Sequence, residues 1–162
     1  MPVSEVGRLT SPGVRFPPPL IYVLPFFASY LLNERVEFLI VGAGAGVAQV
    51  TIGTIVLAAG LVLMAWGLAT FARLRTSILP FKAARTLVIK PPYTFTRNPM
   101  YFGLLLAYLG AALATNWAWP LVFLPLVLGM MSGFVIAREE RYLVAEFGAD
   151  YEAYCRRVRR WI

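Results

Sequence analysis

Residues 47–71 read VAQVTIGTIVLAAGLVLMAWGLATF, 25 consecutive positions without a charge. A helix needs about 20 such residues to cross the hydrocarbon core of a bilayer. Three more apolar runs follow the same logic: Pro18 to Leu32, Pro99 to Thr115 and Trp119 to Ala137. The first and third are shorter, and Pro25 together with Pro17-Pro18-Pro19 makes the first the least regular. Composition agrees, with 59% hydrophobic residues, mean hydropathy +0.69 and 14% charged residues. A soluble domain carries about 25% charged residues. The expected fold is an all-α integral membrane protein with about four transmembrane helices, a cytoplasmic loop and amphipathic C-terminal helices.

The basic residues set the expected orientation. With four spans, 14 of the 15 Lys and Arg fall on the side of the N-terminus, the 72–98 loop and the C-terminal tail, and only Arg35 falls on the other. The positive-inside rule therefore places both termini in the cytoplasm. The net charge of +7 follows from this bias and from attraction to anionic headgroups; it does not imply a nucleic-acid partner. The first apolar run lacks a small-residue cleavage site, so no cleavable leader is expected. The chain is thus expected to form one membrane domain, 1–162. Its parts are an arm (1–17), two spans (18–71), a loop (72–98), a helical hairpin (99–137) and a tail (138–162).

Histidine is absent and Cys155 is the only cysteine. That excludes disulfides, thiol or His–carboxylate metal sites, Ser-His-Asp triads and imidazole acid–base chemistry. No metal is expected. The VGAGAG stretch at 41–46 lacks the dinucleotide-binding spacing and follows no βαβ unit. Small residues of the second span (Ala58, Ala59, Gly60, Ala65, Gly67) suit close helix packing instead. The arm is expected to be loosely ordered, and the 72–98 loop, with apolar Ile78, Leu79, Phe81, Leu87, Val88 and Ile89, to pack at the membrane interface. Thr86 to Ile89 suit an extended conformation. Trp117 and Trp119 mark the outer turn as interface anchors.

Two features carry charge to the membrane border. Arg97-Asn98-Pro99 opens the third span, with Asn98 suited to the N-cap and Pro99 to the first helical position. A helix start with a neighbouring arginine is a ready anion site. Tyr101 projects from its first turn, and Gly103 admits a close backbone or ligand. The plain alternative is a capped helix with a snorkelling arginine. Glu139-Glu140 directly follow the fourth span. Arg138 and Arg141 are the simplest counter-ions; the alternative is that a carboxylate binds a cationic ligand group. In an antiparallel hairpin the two features meet, and together they suit a zwitterionic amino-acid group: carboxylate to Arg97 and the helix start, ammonium to Glu139 or Glu140. Tyr93, Phe95 and Tyr101 are aromatic candidates for a sulfonium. In the tail, Phe147-Gly148 should end one helix and Asp150 cap the next. That last helix would set Tyr151, Tyr154, Cys155, Val158 and Trp161 on one face, lying on the membrane or the loop.

PPYTFTRNPMYFG at 91–103, a hydrophobic hairpin, and EERYLVAEFGADYEAYCRRVRRWI at 139–162 resemble, in that order, the isoprenylcysteine carboxyl methyltransferase and phospholipid N-methyltransferase superfamily. The resemblance covers roughly residues 76–162. It implies a membrane methyltransferase using S-adenosylmethionine, with cofactor positions Tyr93, Arg97, Asn98, Pro99, Tyr101, Gly103, Glu139 and Glu140. Glu139, Glu140 or a tyrosine would serve wherever a proton must leave the acceptor. Many members have His where Asn98 stands, and Gly-Pro where Pro91-Pro92 stands. The acceptor class stays open among carboxylates, thiols and amines, on lipophilic or small molecules. Membrane sterol reductases resemble the same region and use NADPH, but would need a larger phosphate-binding surface. A non-catalytic membrane protein that retains the fold is the other alternative.

Overall fold

The computed structural model describes residues 11–14, 16–42, 46–74 and 86–161. The calls on residues 1–10 and on Ile78, Leu79 and Phe81 lie outside the described residues. Among the described residues there are six α-helices: α1 Pro18–Asn33, α2 Val47–Arg73, α3 Pro99–Thr115, α4 Trp119–Met130, α5 Ala137–Phe147 and α6 Ala149–Arg157. A π-helical turn, Met131–Ile136, joins α4 to α5, so that 119–147 form one 29-residue rod. Among the described residues the only β-type pairing is an isolated bridge between Leu39 and Trp117. Thr86 to Ile89 form no strand.

The all-helical expectation holds, and the lengths refine it. Two helices, Val47–Arg73 and Trp119–Phe147, are long and apolar enough to cross a membrane. Only 17% of the α2 window is buried, so its apolar side chains face outward, unlike those of a soluble protein's core helix. The helices α1 and α3 are also apolar but have 16 and 17 residues. At about 1.5 Å per residue they fall short of a ~30 Å hydrocarbon core.

The seam between α2 and α3 is built from missing side chains. Gly53, Gly60 and Gly67 recur every seven residues on α2, and Gly103 and Gly110 do so on α3. The helices run antiparallel. A Cβ added at Gly60 would stand 2.5 Å from both Ala107 N and Gly103 O, and one at Gly110 would stand 2.7 Å from Gly53 O. Small residues let backbones approach this closely, and dispersion and weak Cα–H···O contacts replace the side-chain packing they forgo.

The helix α1 packs against α4 and against α3. Tyr22, Tyr101, Tyr108, Val127, Met131 and Ile136 form the core between them, with Tyr22 donating to the Tyr101 carbonyl at 3.2 Å. Val14 belongs to this core, so this part of the arm is anchored rather than loose. Pro25 sits inside α1, and Ser29 Oγ donates to its carbonyl at 2.7 Å.

At the hairpin turn, Asn116 adopts a left-handed conformation with φ 61°. Its side-chain oxygen accepts from Val41 N at 3.0 Å and from Gln49 Nε2 at 2.7 Å, and its amide donates to the Val41 carbonyl at 2.9 Å. Three chain segments thus meet on one amide. Trp119 Nε1 donates to the Val36 carbonyl at 3.0 Å, so this tryptophan braces the 33–46 loop.

Candidate functional site

The loop that precedes α3 rests on the end of α2. Thr70 Oγ1 donates to the Pro91 carbonyl at 3.1 Å, and the Tyr93 ring tilts against Phe71 with centroids 5.1 Å apart. Asn98 stands at the N-cap position and Pro99 at the first helical position, as expected. The side chain of Asn98 does not cap the helix, however. It donates to the Arg160 carbonyl at 3.0 Å. Thr96 Oγ1 donates to the same carbonyl at 3.1 Å, and Arg97 N donates to the Arg159 carbonyl at 2.9 Å. Beyond α6 the chain is extended at Val158 and returns over the start of α3, bringing carbonyls that lack helical partners. Those acceptors recruit the Asn98 amide in place of a local cap.

The α6 face holds in part. Tyr151, Tyr154 and Val158 are buried against Leu87 of the loop and Leu143 and Phe147 of α5, with Cys155 beside them. The helix ends at Arg157, however, Val158 is extended, and Trp161 packs instead against the core between α1, α3 and α4. Tyr154 Oη donates to the Tyr93 carbonyl at 2.7 Å. The expected cap of this helix is different: Gly148, with φ 50°, occupies the N-cap position, and Asp150 lies in the first turn. A turn this tight between two helices needs glycine, and it leaves Asp150 no role as cap.

The α5 carboxylates turn into the bundle, not toward Arg138 and Arg141. Glu140 pairs with Arg97 NH1 at 3.1 Å and takes both Nε, at 3.1 Å, and NH2 of Arg160. Glu139 accepts from Tyr101 Oη at 2.5 Å. Arg138 donates to the Gly13 carbonyl and Arg141 to the Ala137 carbonyl. Successive helical residues step by about 100°, so the sequence Arg-Glu-Glu-Arg places its carboxylates on one side and its guanidiniums on the other. The expectation that the flanking arginines neutralise the pair is thereby overturned.

Two guanidiniums share the single Glu140 carboxylate, which leaves an excess positive charge beside the α3 start. Arg97 NH1 also donates to Cys155 Sγ at 2.8 Å. Burial opposes the charge on Arg97, but Glu140, Cys155 and Tyr151 together outweigh it and raise its pKa above the ordinary arginine value. Burial likewise raises the Tyr93 phenol well above its usual range, with Tyr154 and Glu139 adding to the effect. Two polar atoms of this cluster, Tyr93 Oη and Arg97 Nε, are buried without a hydrogen-bond partner among the described residues. Unsatisfied buried polar atoms are uncommon, and each of these two has a donor or acceptor left to offer.

The structure therefore brings together Tyr93, Arg97, Asn98, Pro99, Tyr101, Glu139 and Glu140 at one end of the bundle. Gly103 lies one turn farther, and the close neighbour it admits is α2: an added Cβ would be 2.6 Å from Gly60 O and 2.8 Å from Met64 N. Phe95 is exposed. The sequence reading missed Arg160 and Thr96. Arg160 is one of four arginines between residues 156 and 160, and only the fold singles it out.

The family model for phospholipid methyltransferases matches residues 48–150. The chain belongs to the phospholipid methyltransferase family. An uncharacterized protein of Haemophilus influenzae is 39% identical to this phospholipid methyltransferase homologue over 69 residues, which are 39% of this chain and 100% of the relative. No solved structure matches it significantly. The match runs from α2 through the α3 start and the α5 carboxylates to the first turn of α6. Family membership and the two long apolar helices make it a membrane protein of a methyltransferase family.

Proposed function

We propose that this protein transfers a methyl group from S-adenosylmethionine to a lipophilic or small membrane-accessible acceptor, a carboxylate, thiol or amine, at the cytoplasmic face of a prokaryotic inner membrane. In this reading the chain forms one membrane domain. Here α1 and α3 complete a four-span bundle by tilting little and drawing the bilayer thinner around them, and both termini are cytoplasmic. The observation that carries the reading is the cluster at the α3 start: two arginines that share one carboxylate, a second carboxylate turned inward beside them, and two buried polar atoms without partners among the described residues. These residues fit a ligand that bears a carboxylate and an ammonium on one carbon, an α-amino-acid group.

When bound, S-adenosylmethionine supplies an electrophilic methyl group on a sulfonium. Arg97 and Arg160 would hold the carboxylate end, aided by the N–H groups and dipole of the α3 start. Glu139, which no guanidinium occupies among the described residues, would take the ammonium, with Tyr101 fixing its orientation. The protein aligns acceptor, methyl and sulfur and excludes water. A thiolate or carboxylate acceptor needs no base. For an amine, Glu139, Glu140 or a tyrosine of the cluster would accept the proton.

The test is calorimetric titration of detergent-purified protein with S-adenosylhomocysteine, with NADPH in parallel. Micromolar binding of the former is expected, weakened at least tenfold (about 1.4 kcal/mol) in Arg97→Ala and in Glu139→Gln. Binding of NADPH alone would reassign the protein to reductase chemistry. Binding of neither, by protein shown to be folded, would leave the cluster a structural one.

A further inference from the structure

On the opposite face of the Arg-Glu-Glu-Arg turn, a cleft of about 450 Å³ opens outward between α1 and the 130–138 segment. Leu20 and Leu24 form one wall and Phe134 and Val135 the other, with Val14 and Phe16 of the arm closing the tail end. Three of the wall residues, Leu20, Leu24 and Phe134, are exposed in the isolated chain, so the opening faces the surroundings that the apolar helices face. For a membrane protein those surroundings are lipid. Among the described residues the lining carries one charge, Arg138, at the arm end. Its NH1 reaches the Gly13 carbonyl at 3.1 Å, and a guanidinium has further donors to offer. Arg141 lies three residues on, over the same helical face.

From Met130 to Arg138 the helix rises by about 12 Å. The cleft of about 450 Å³ follows that length, and its walls are apolar apart from the arm end. A hydrocarbon chain fits, and an apolar cleft left without one would forfeit dispersion contacts along both walls. The cationic end selects the headgroup.

We infer that this cleft holds one acyl chain of an anionic phospholipid whose phosphate sits on Arg138, with Arg141 nearby. The lipid is a fixed part of the fold that ties the arm and α1 to the long rod. The inference stands independently of methyl transfer, since it uses no residue of the α3-start cluster.

Native mass spectrometry of the detergent-purified protein tests it, with dioleoyl phosphatidylglycerol and dioleoyl phosphatidylcholine as probes. One phosphatidylglycerol per chain is expected to be retained, several-fold more strongly than phosphatidylcholine, and inorganic phosphate should not displace it. Arg138→Gln should reduce phosphatidylglycerol to the level of phosphatidylcholine. Leu24→Trp, which fills the cleft from an exposed position, should weaken both lipids; Leu20→Trp serves the same purpose if the first variant melts early. Equal retention of the two lipids by the parent protein overturns the inference. So does a preference that survives Arg138→Gln, retention indifferent to the tryptophan, or displacement by phosphate.

Discussion

The α2–α3 seam and the cluster at the α3 start lie end to end along the same helix, yet they are held together in opposite ways. The seam exists because side chains are absent: glycines let two backbones touch, and nothing in it can be exchanged for a different partner. The cluster exists because long polar side chains from three elements converge, and each of its ion pairs can be traded for another of equal charge. Shape fixes the first region and charge the second. A membrane enzyme needs both, a rigid frame and a site whose partners can be replaced by a ligand.

The largest effect should come from breaking the seam. Gly103→Leu puts a side chain where even a Cβ meets Gly60 O at 2.6 Å, and overpacking of this kind costs about 3 kcal/mol or more. The expected result is loss of monodisperse protein on size exclusion and a collapsed melting temperature. Gly129→Ala is the matched control, because nothing lies within 4 Å of its added Cβ. It should leave melting unchanged or raise it slightly, by up to about 1 kcal/mol of helix propensity.

Next in size is Glu140→Ala, which leaves Arg97 and Arg160 facing each other without a carboxylate. Removing one partner of a half-buried pair should cost about 2–3 kcal/mol in thermal or denaturant unfolding, less than the full penalty of a deep pair. The loss should shrink as salt is added, which the Gly103 defect should not do. Tyr101→Phe comes third. It removes the donor to Glu139 and should cost about 1.5 kcal/mol of stability, with weaker binding of S-adenosylhomocysteine in the calorimeter. Arg160→Ala is the smallest, at roughly 0–1 kcal/mol, since its side chain is 41% exposed and its backbone carbonyl still receives Asn98 and Thr96. If Arg160→Ala proves as damaging as Glu140→Ala, the cluster is structural and not exchangeable.

Much of this was legible from local signals. The 47–71 run, the Pro99 start and the Phe147-Gly148 stop each follow from composition or from one residue's backbone preference, and the structure places all three as read. The heptad of Gly53, Gly60 and Gly67 was in view, but only Gly60 and Gly67 were credited with packing. Gly103 and Gly110 complete the seam through a partner helix that no local pattern names. Asn98 shows the same limit. Its position at the helix start is a local property, whereas the acceptor it finds belongs to a segment some 60 residues away. The partners of Glu139 and Glu140 stay open in the sequence for a related reason: the arginines next to them are near in sequence, but the helix turns them to the other side. The π-helical turn, which sets the rotation of the carboxylates relative to α4, has no sequence signal at all.

The amide of Asn116 has a mechanical consequence. It staples the turn, the 33–46 loop and the start of α2 at one end, while the opposite end is closed by ion pairs and a returning tail. The bundle is built like a clothes peg, with its spring at Asn116 and its jaws at Tyr101 and Glu139. Over the ~25 Å length of α3, a swing of about 5° at the spring parts the jaws by roughly 2 Å. In the proposed reading, a lipophilic acceptor would enter at the jaws, the end of the bundle farthest from Asn116.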